Sequence, residues 1–163
     1  MKKRAYTKKQ IFILPLFFGI VLIVFGSRFI YLAQATQNWP QTKAVISRIK
    51  LIDSISSTSK QKTTDISVFY HYQVKGQNYQ SNTYNYGNGT TVNSRLKNRT
   101  AAHQWLQQSP YQKGHEIQVF YNPNNPEQAV IKTGANLWTF VPLFIGLGIS
   151  VLFSFFLWRT TRQ

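Results

Sequence analysis

The side chains that could carry acid–base or metal chemistry are few in this sequence and lie far apart. General acid–base catalysis and metal coordination both need several such groups to converge on one pocket. The carboxylates and imidazoles instead fall in separate segments: Asp53, Asp65, His71, His103, His115, Glu116 and Glu127. The sequence has no zinc-ligand spacing, no G-x-S-x-G motif and no cysteine for thiolate chemistry or disulfides. It therefore predicts a protein that is not an enzyme and needs no metal or cofactor.

Positive charge is the other chemical feature of the chain. The sequence carries 19 basic and 4 acidic residues, a net charge of +15, which would suit nucleic acid or an anionic membrane surface. Tyrosines among cations would also suit the stacking of single-stranded bases. The residues with that composition are Tyr70, Tyr72, Tyr84, Tyr86, Tyr121, Arg95, Lys97 and Arg99. We expect the tyrosines to fill a β core instead, and the domain that carries them is predicted to lie outside the cytoplasm, where it meets no cytosolic nucleic acid.

Two apolar segments flank this domain and predict its location. Residues 11–32 contain a single charge, Arg28, and residues 135–158 contain none. About 20 apolar residues in a helix cross the ~30 Å hydrocarbon core of a bilayer, so each segment is long enough. Trp138 and Trp158 are 20 residues apart and are predicted to anchor the second helix at the two interfaces. Arg28 is placed to extend its charge to the outer interface.

Basic residues near the chain ends predict the orientation. Five lie before the first apolar segment and two follow the second, and short cytoplasmic flanks are where such residues accumulate. Both termini are therefore expected in the cytoplasm. The predicted parts are a basic tail (1–10), a transmembrane helix (11–32), an extracytoplasmic β domain (36–134), a second transmembrane helix (135–158) and a cytoplasmic tail (159–163). In the alternative, cleavage after Ala33-Gln34-Ala35 removes the first segment as a signal peptide.

Small residues recur on both predicted helices. Gly146, Ser150 and Ser154 are spaced four apart, a pattern that lets helices approach closely. Gly19 and Gly26 on the first segment could face this stripe, and the stripe could also contact a partner helix. No acidic residue, lysine or histidine lies in the middle of either segment, which argues against an ion or proton pathway.

Alternating residues in the middle domain predict a small, mainly antiparallel sheet. Ile66, Val68, Tyr70, Tyr72 and Val74 share one face of a strand, and a turn at Lys75-Gly76 follows. The other predicted elements are strands at 42–53, 79–86, 115–121 and 128–132, a helix at 94–108, a mobile loop at 54–65 and a flexible break at 87–89. The fold class is thus a membrane protein of the α+β class, with two transmembrane helices around about five strands and one short helix.

Two blocks of this domain resemble a known family. The first is Trp39-Pro followed by a strand and then Val68-Phe-Tyr70-His-Tyr72-Gln-Val74-Lys-Gly76-Gln-Asn-Tyr79. The second is Tyr111-Gln-Lys-Gly114-His-Glu-Ile-Gln-Val119-Phe-Tyr121-Asn-Pro123-Asn-Asn-Pro126-Glu-Gln-Ala129-Val. Both resemble the bacterial two-helix membrane protein family known as domain of unknown function 3592, over about residues 11–158. The resemblance implies a β domain between two helices in the bacterial inner (cytoplasmic) membrane, and it implies no mechanism.

Three non-enzymatic functions remain open at this point. We expect an envelope protein whose external domain binds a protein or an anionic partner, such as an anionic lipid or an envelope polymer, with nucleic acid disfavoured. The first alternative is an accessory subunit of a larger membrane complex, or a homo-oligomer, recognised through its helices. The second is an immunity protein against a membrane-active or envelope toxin. The lipid bilayer is a partner in every case.

Overall fold

A computed structural model of the protein describes residues 8–55 and 61–162. The chain divides into two compact units. The helical unit contains the chain up to Tyr31 and the chain from Asn136 onwards, and the β unit comprises Leu32–Ala135.

The helical unit consists of two long apolar helices, α1 (Lys8–Ala35) and α3 (Leu137–Thr161). Asn136 caps α3 by accepting a hydrogen bond from the backbone N–H of Thr139, while the Thr139 hydroxyl accepts one from the Asn136 backbone N–H. Within the stretches 12–38 and 137–160, segments of 18 residues reach mean hydropathies of 2.3 and 2.4. By length and composition both are able to cross a membrane, which is compatible with a two-pass membrane protein.

The β unit is built on an antiparallel sheet that has six strands within the described residues. They are β1 (Gln41–Ile55), β2 (Lys62–Val74), β3 (Gln77–Ser81), β4 (Thr91–Leu96), β5 (Glu116–Asn122) and β6 (Asn125–Val130). The order is β3-β2-β1-β5-β6, and β4 pairs with the first half of β2 while β3 pairs with the second half. A helix, α2 (Arg99–Gln108), follows β4.

One face of β2 forms the centre of the core, as its alternation predicts. Ile66, Val68 and Tyr70 are fully buried, and Tyr72 and Val74 are at most 5% exposed. On the face predicted to be polar, His71 and Gln73 are exposed while Ser67 is buried. The strand's first half packs against Ala102 and Leu106 of α2, and its second half packs against residues of β5 and β6.

The two ends of the sheet come together around Tyr70. The Tyr70 hydroxyl lies 2.9 Å from the carbonyl oxygens of both Thr83 and Ala129 and donates to them. Ser81 donates to the same Ala129 carbonyl at 3.1 Å, and the backbone N–H of Lys132 donates to the Tyr84 carbonyl at 2.8 Å. These bonds join the segment after β3 to β6 and satisfy backbone groups that would otherwise be left at open strand edges.

Several predicted boundaries in this unit are wrong, and β4 is a strand that the sequence did not reveal. Val92 and Leu96 are the only large apolar residues of β4, so its alternation is hidden. The helix begins at Arg99 instead of residue 94, because the Asn98 side chain caps it by accepting the Ala101 N–H at 2.8 Å. The strand predicted at 79–86 ends at Ser81.

The predicted loop and break are also more regular than expected. β1 continues to Ile55 and β2 begins at Lys62, so half of the predicted loop 54–65 is strand, and residues 56–60 lie outside the described part. The predicted break at 87–89 is a hydrogen-bonded turn. In it the buried Asn85 side chain accepts the backbone N–H groups of Gly87 and Asn88 at 2.9 and 2.6 Å.

Candidate functional site

A basic cleft lies where the start of β2 meets the end of β4. It is lined by Gln61, Lys62, Thr63, Arg95 and Lys97. The antiparallel pairing of the two strands places Thr64 opposite Leu96, so residues more than thirty positions apart in sequence become neighbours. Three of the five lining side chains are cations, and the other two carry neutral hydrogen-bond donors.

The backbone around Arg95 is irregular in a way that shapes this cleft. Arg95 has a φ of +59°, in the left-handed region, and the pairing of β4 with β2 shifts register nearby. For a non-glycine residue this conformation costs roughly 1–2 kcal/mol. The Asp65 carboxylate stabilises it by accepting the Arg95 backbone N–H at 2.8 Å. The cleft therefore contains a residue whose backbone is held by a specific side chain.

The carboxylates close to the cleft already have partners. Asp53 accepts hydrogen bonds from Arg99 Nε at 2.8 Å and from the Thr64 hydroxyl at 3.0 Å. The bond from Arg99 is the main reason that the pKa of Asp53 lies below its usual value, and the charge of Lys62 adds a small contribution. Asp65 accepts the Arg95 backbone N–H. Among the described residues no carboxylate lines the cleft.

The remaining acid–base candidates stay dispersed in the fold. Glu116 pairs with Lys43 at 3.1 Å on the surface. His71, His103 and His115 are exposed, on β2, on α2 and just before β5. Within the described residues no three carboxylate or imidazole groups come together to hold a metal ion.

The tyrosines named as possible stacking platforms line the interior more than the surface. Tyr70 and Tyr72 are buried, and Tyr121 packs at the edge of their cluster. Burial raises the pKa of Tyr70 well above its usual value and that of Tyr72 to about 12, and the Tyr72 hydroxyl donates to the Pro126 carbonyl. Tyr84 and Tyr86 are half-buried, and the Tyr86 ring meets the Trp39 ring edge-on at 6.3 Å.

The cations that the sequence grouped with these tyrosines separate in the structure. Arg95 and Lys97 line the cleft, whereas Arg99 is paired with Asp53. Lys62, the third cation of the cleft, was missed. Its sequence neighbourhood gave no indication of this role, because Arg95 and Lys97 reach it from the end of β4, a strand that has little apolar alternation.

In the helical unit, the small residues lie mostly where α1 and α3 touch. A Cβ on Gly19 would stand 2.5 Å from Ser150 Oγ, and one on Gly146 would stand 2.7 Å from the Gly19 carbonyl oxygen. A Cβ on Gly26 would stand 2.6 Å from the backbone nitrogen of Leu143. Ser154 is exposed, away from this contact. The close approach of the two backbones thus depends on three glycines.

The residues predicted as interfacial anchors are exposed on the same helices. Trp138 is 58% and Trp158 is 52% exposed, and Arg28 is exposed on α1. The Arg162 guanidinium lies over the Trp158 ring, 4.0 Å from its centroid. All three predicted anchors can therefore contact whatever surrounds the helices.

Comparison with known families bears on the β unit. A family model described as domain of unknown function (DUF3592) matches residues 42–136, from the second residue of β1 to the residue that caps α3. The chain belongs to the DUF3592 family. No curated protein matches the chain. The DUF3592 match confirms the family predicted from the two sequence blocks. The matched region covers the sheet and α2, but it contains no residue of α1 and only the N-cap residue of α3. The two-helix and bacterial features of the predicted resemblance therefore stay predictions.

Proposed function

We propose that this DUF3592 protein is a two-pass protein of the bacterial inner membrane that displays a non-enzymatic, anion-binding β domain on the extracytoplasmic side. The observation that carries the proposal is the charge of the domain between the two helices. Residues 36–134 contain eleven basic and four acidic residues, a net charge of +7. Three of those four carboxylates are engaged in contacts within the domain. Nine basic and two acidic residues of the domain lie outside the Lys43–Glu116 and Arg99–Asp53 pairs, so its charge is mainly cationic.

The surface of the helices supports the membrane part of the proposal. Large apolar side chains are widely exposed along both helices, including Leu14 at 75%, Phe17 at 65% and Val151 at 69%. Exposed apolar area of this extent is unfavourable in water and favourable in lipid. The helices of a soluble hairpin would instead bury these side chains.

The absence of cysteine makes the orientation straightforward to test. Asn78→Cys introduces a thiol on an exposed position of β3, and Gln163→Cys introduces one at the end of the chain. In intact cells an impermeant maleimide should label the first variant, and it should label the second only after the membrane is opened. The reverse pattern would refute the orientation. The mass of the mature protein shows separately whether cleavage after Ala35 removes α1.

Binding is tested with the full chain in nanodiscs of zwitterionic lipid. Polyglutamate and polyphosphate serve as anionic probes, and dextran serves as the neutral control. We expect at least one anionic probe to bind, with an affinity that falls steeply as salt rises, because exposed charges are screened. Failure of both anionic probes at low salt, together with failure to bind vesicles that contain phosphatidylglycerol, would refute the anion-binding function.

The accessory-subunit alternative is less favoured by the helix geometry. Gly19, Gly146 and Ser150 are occupied by the contact between α1 and α3. A partner helix would therefore have to recognise other faces. No contact in the described residues bears on the immunity alternative, which a toxin gene beside this one would support.

A further inference from the structure

We propose that the basic cleft of Gln61, Lys62, Thr63, Arg95 and Lys97 binds a phosphate group. The inference rests on the proposed anion-binding function and narrows it to one place and one chemical class. Three cations from two strands line a single concave surface, and they come together through the pairing of β2 with β4. In the sequence, Lys62 lies more than thirty positions before Arg95 and Lys97.

The charge of the cleft is available to a ligand. Of the two nearby carboxylates, Asp53 accepts hydrogen bonds from Arg99 and Thr64. Asp65 accepts one from the Arg95 backbone. Asp53 is thus engaged by a cation outside the cleft. Lys62, Arg95 and Lys97 form no ion pair with a described carboxylate at 4.0 Å or less. A bound anion would supply the countercharge.

The donor set favours phosphate over carboxylate. An arginine guanidinium offers a planar pair of N–H groups that matches two oxygens of either group, while lysine ammonium groups act as point charges. The Gln61 amide and the Thr63 hydroxyl add neutral donors. A tetrahedral phosphate presents oxygens in several directions and can accept from donors on both strands, whereas a carboxylate has two coplanar oxygens.

The phosphate could come from a phospholipid headgroup or from a soluble phosphate compound, and the experiment separates these sources. The full chain in phosphatidylcholine nanodiscs is titrated with polyphosphate in one arm. In a second arm it is mixed with vesicles of phosphatidylglycerol and phosphatidylcholine. Polyglutamate and pure phosphatidylcholine vesicles are the respective controls. Binding in the vesicle arm alone identifies a headgroup, and binding in the polyphosphate arm identifies a soluble phosphate.

The test variant removes the three cations of the cleft: Lys62→Gln, Arg95→Gln and Lys97→Gln together. The matched control removes three exposed cations elsewhere in the same domain: Lys50→Gln, Lys113→Gln and Lys132→Gln. Both variants lose the same net charge. We expect the cleft variant to lose about tenfold or more of its phosphate affinity, and the control to lose much less, because local charged hydrogen bonds outweigh a diffuse field.

Arg95→Lys serves as a second variant. It keeps a positive charge and a long side chain at the position with the left-handed backbone. It should weaken phosphate binding, because lysine cannot form the paired contact. Equal losses in the two triple variants, or polyglutamate binding as tight as the binding of the phosphate probe that the unmodified protein takes up, would overturn the phosphate site. In that outcome the broader anion-binding function would survive. Absence of binding to every anionic probe would instead overturn that broader function.

Discussion

The helical unit and the β unit of this chain bury and expose opposite kinds of side chain. In the helical unit the contact between α1 and α3 is made where side chains are smallest, and the large apolar ones face outwards. In the β unit the large apolar and aromatic side chains lie inside, and the cations lie outside. The difference shows that one chain is adapted to two surroundings. Substitutions that test packing should therefore give opposite results in the two units.

The largest effect is expected in the core of the β unit. Ile66→Ala removes a fully buried side chain between β1 and α2 and should lower the free energy of unfolding by about 2–5 kcal/mol. Ile52→Ala is the matched control, since Ile52 is 38% exposed, and it should cost less than about 1 kcal/mol. Amide hydrogen exchange across the sheet measures both. Equal effects would mean that the β unit does not depend on this core.

The helical unit should respond to added bulk more than to lost bulk. Gly146→Leu would force a Cβ to within 2.7–2.9 Å of Gly19, Ile23 and Leu22, and it should weaken the pairing of α1 with α3 by about 1–3 kcal/mol. Gly148→Leu is the control, because nothing lies within 4 Å of its Cβ position. Unfolding in mixed detergent micelles compares the two variants. If both lost equal stability, the glycine contact would not be the source of the pairing.

A smaller effect is expected where the sheet closes. Tyr70→Phe leaves the ring in place and removes the hydroxyl that serves the carbonyls of Thr83 and Ala129, which should cost about 1–3 kcal/mol. Tyr79→Phe removes a hydroxyl that bonds the exposed Gln77 side chain, so it should have little effect. Faster exchange confined to the segment around Thr83 and β6 in the first variant would support this closure. Equal exchange rates in the two variants would contradict it.

The smallest effect is expected at the surface pair of Asp53 and Arg99. The pKa of Asp53 is lower in the folded protein than its ordinary value of 3.8. The pair therefore stabilises the fold at pH values above 3.8, and this stability is lost as the pH falls through the folded pKa. Asp53→Asn should therefore reduce stability more at neutral pH than at about pH 3. Urea unfolding at the two pH values measures this. A larger stability difference between the variant and the unmodified protein at the acidic pH would contradict the assigned sign.

The parts of the fold that were predictable are those with a strong local pattern. The apolar runs predict α1 and α3, and the period of two in residues 66–74 predicts the inner face of β2, including Tyr70 and Tyr72. The Lys75-Gly76 turn was equally visible, and both residues have positive φ values, 50° and 81°. In each case neighbouring residues alone carry the signal.

The parts that were not predictable depend on distant residues. β4 has little alternation, and its place is decided by pairing with β2 and by the bond from Arg95 to Asp65. The helix after it starts late because Asn98 forms a cap. The cleft could not be predicted for the same reason, since it needs β2 and β4 side by side.

By itself the sequence determined the two apolar helices, the basic domain between them and the inner face of its central strand, because hydropathy and alternation are local properties. Only the tertiary structure decided which small residues meet in the helix pair, that the ends of the sheet meet around Tyr70, and that Lys62 joins Arg95 and Lys97. Each of those juxtapositions depends on the distance between residues far apart in the chain, and local patterns contain no information about it.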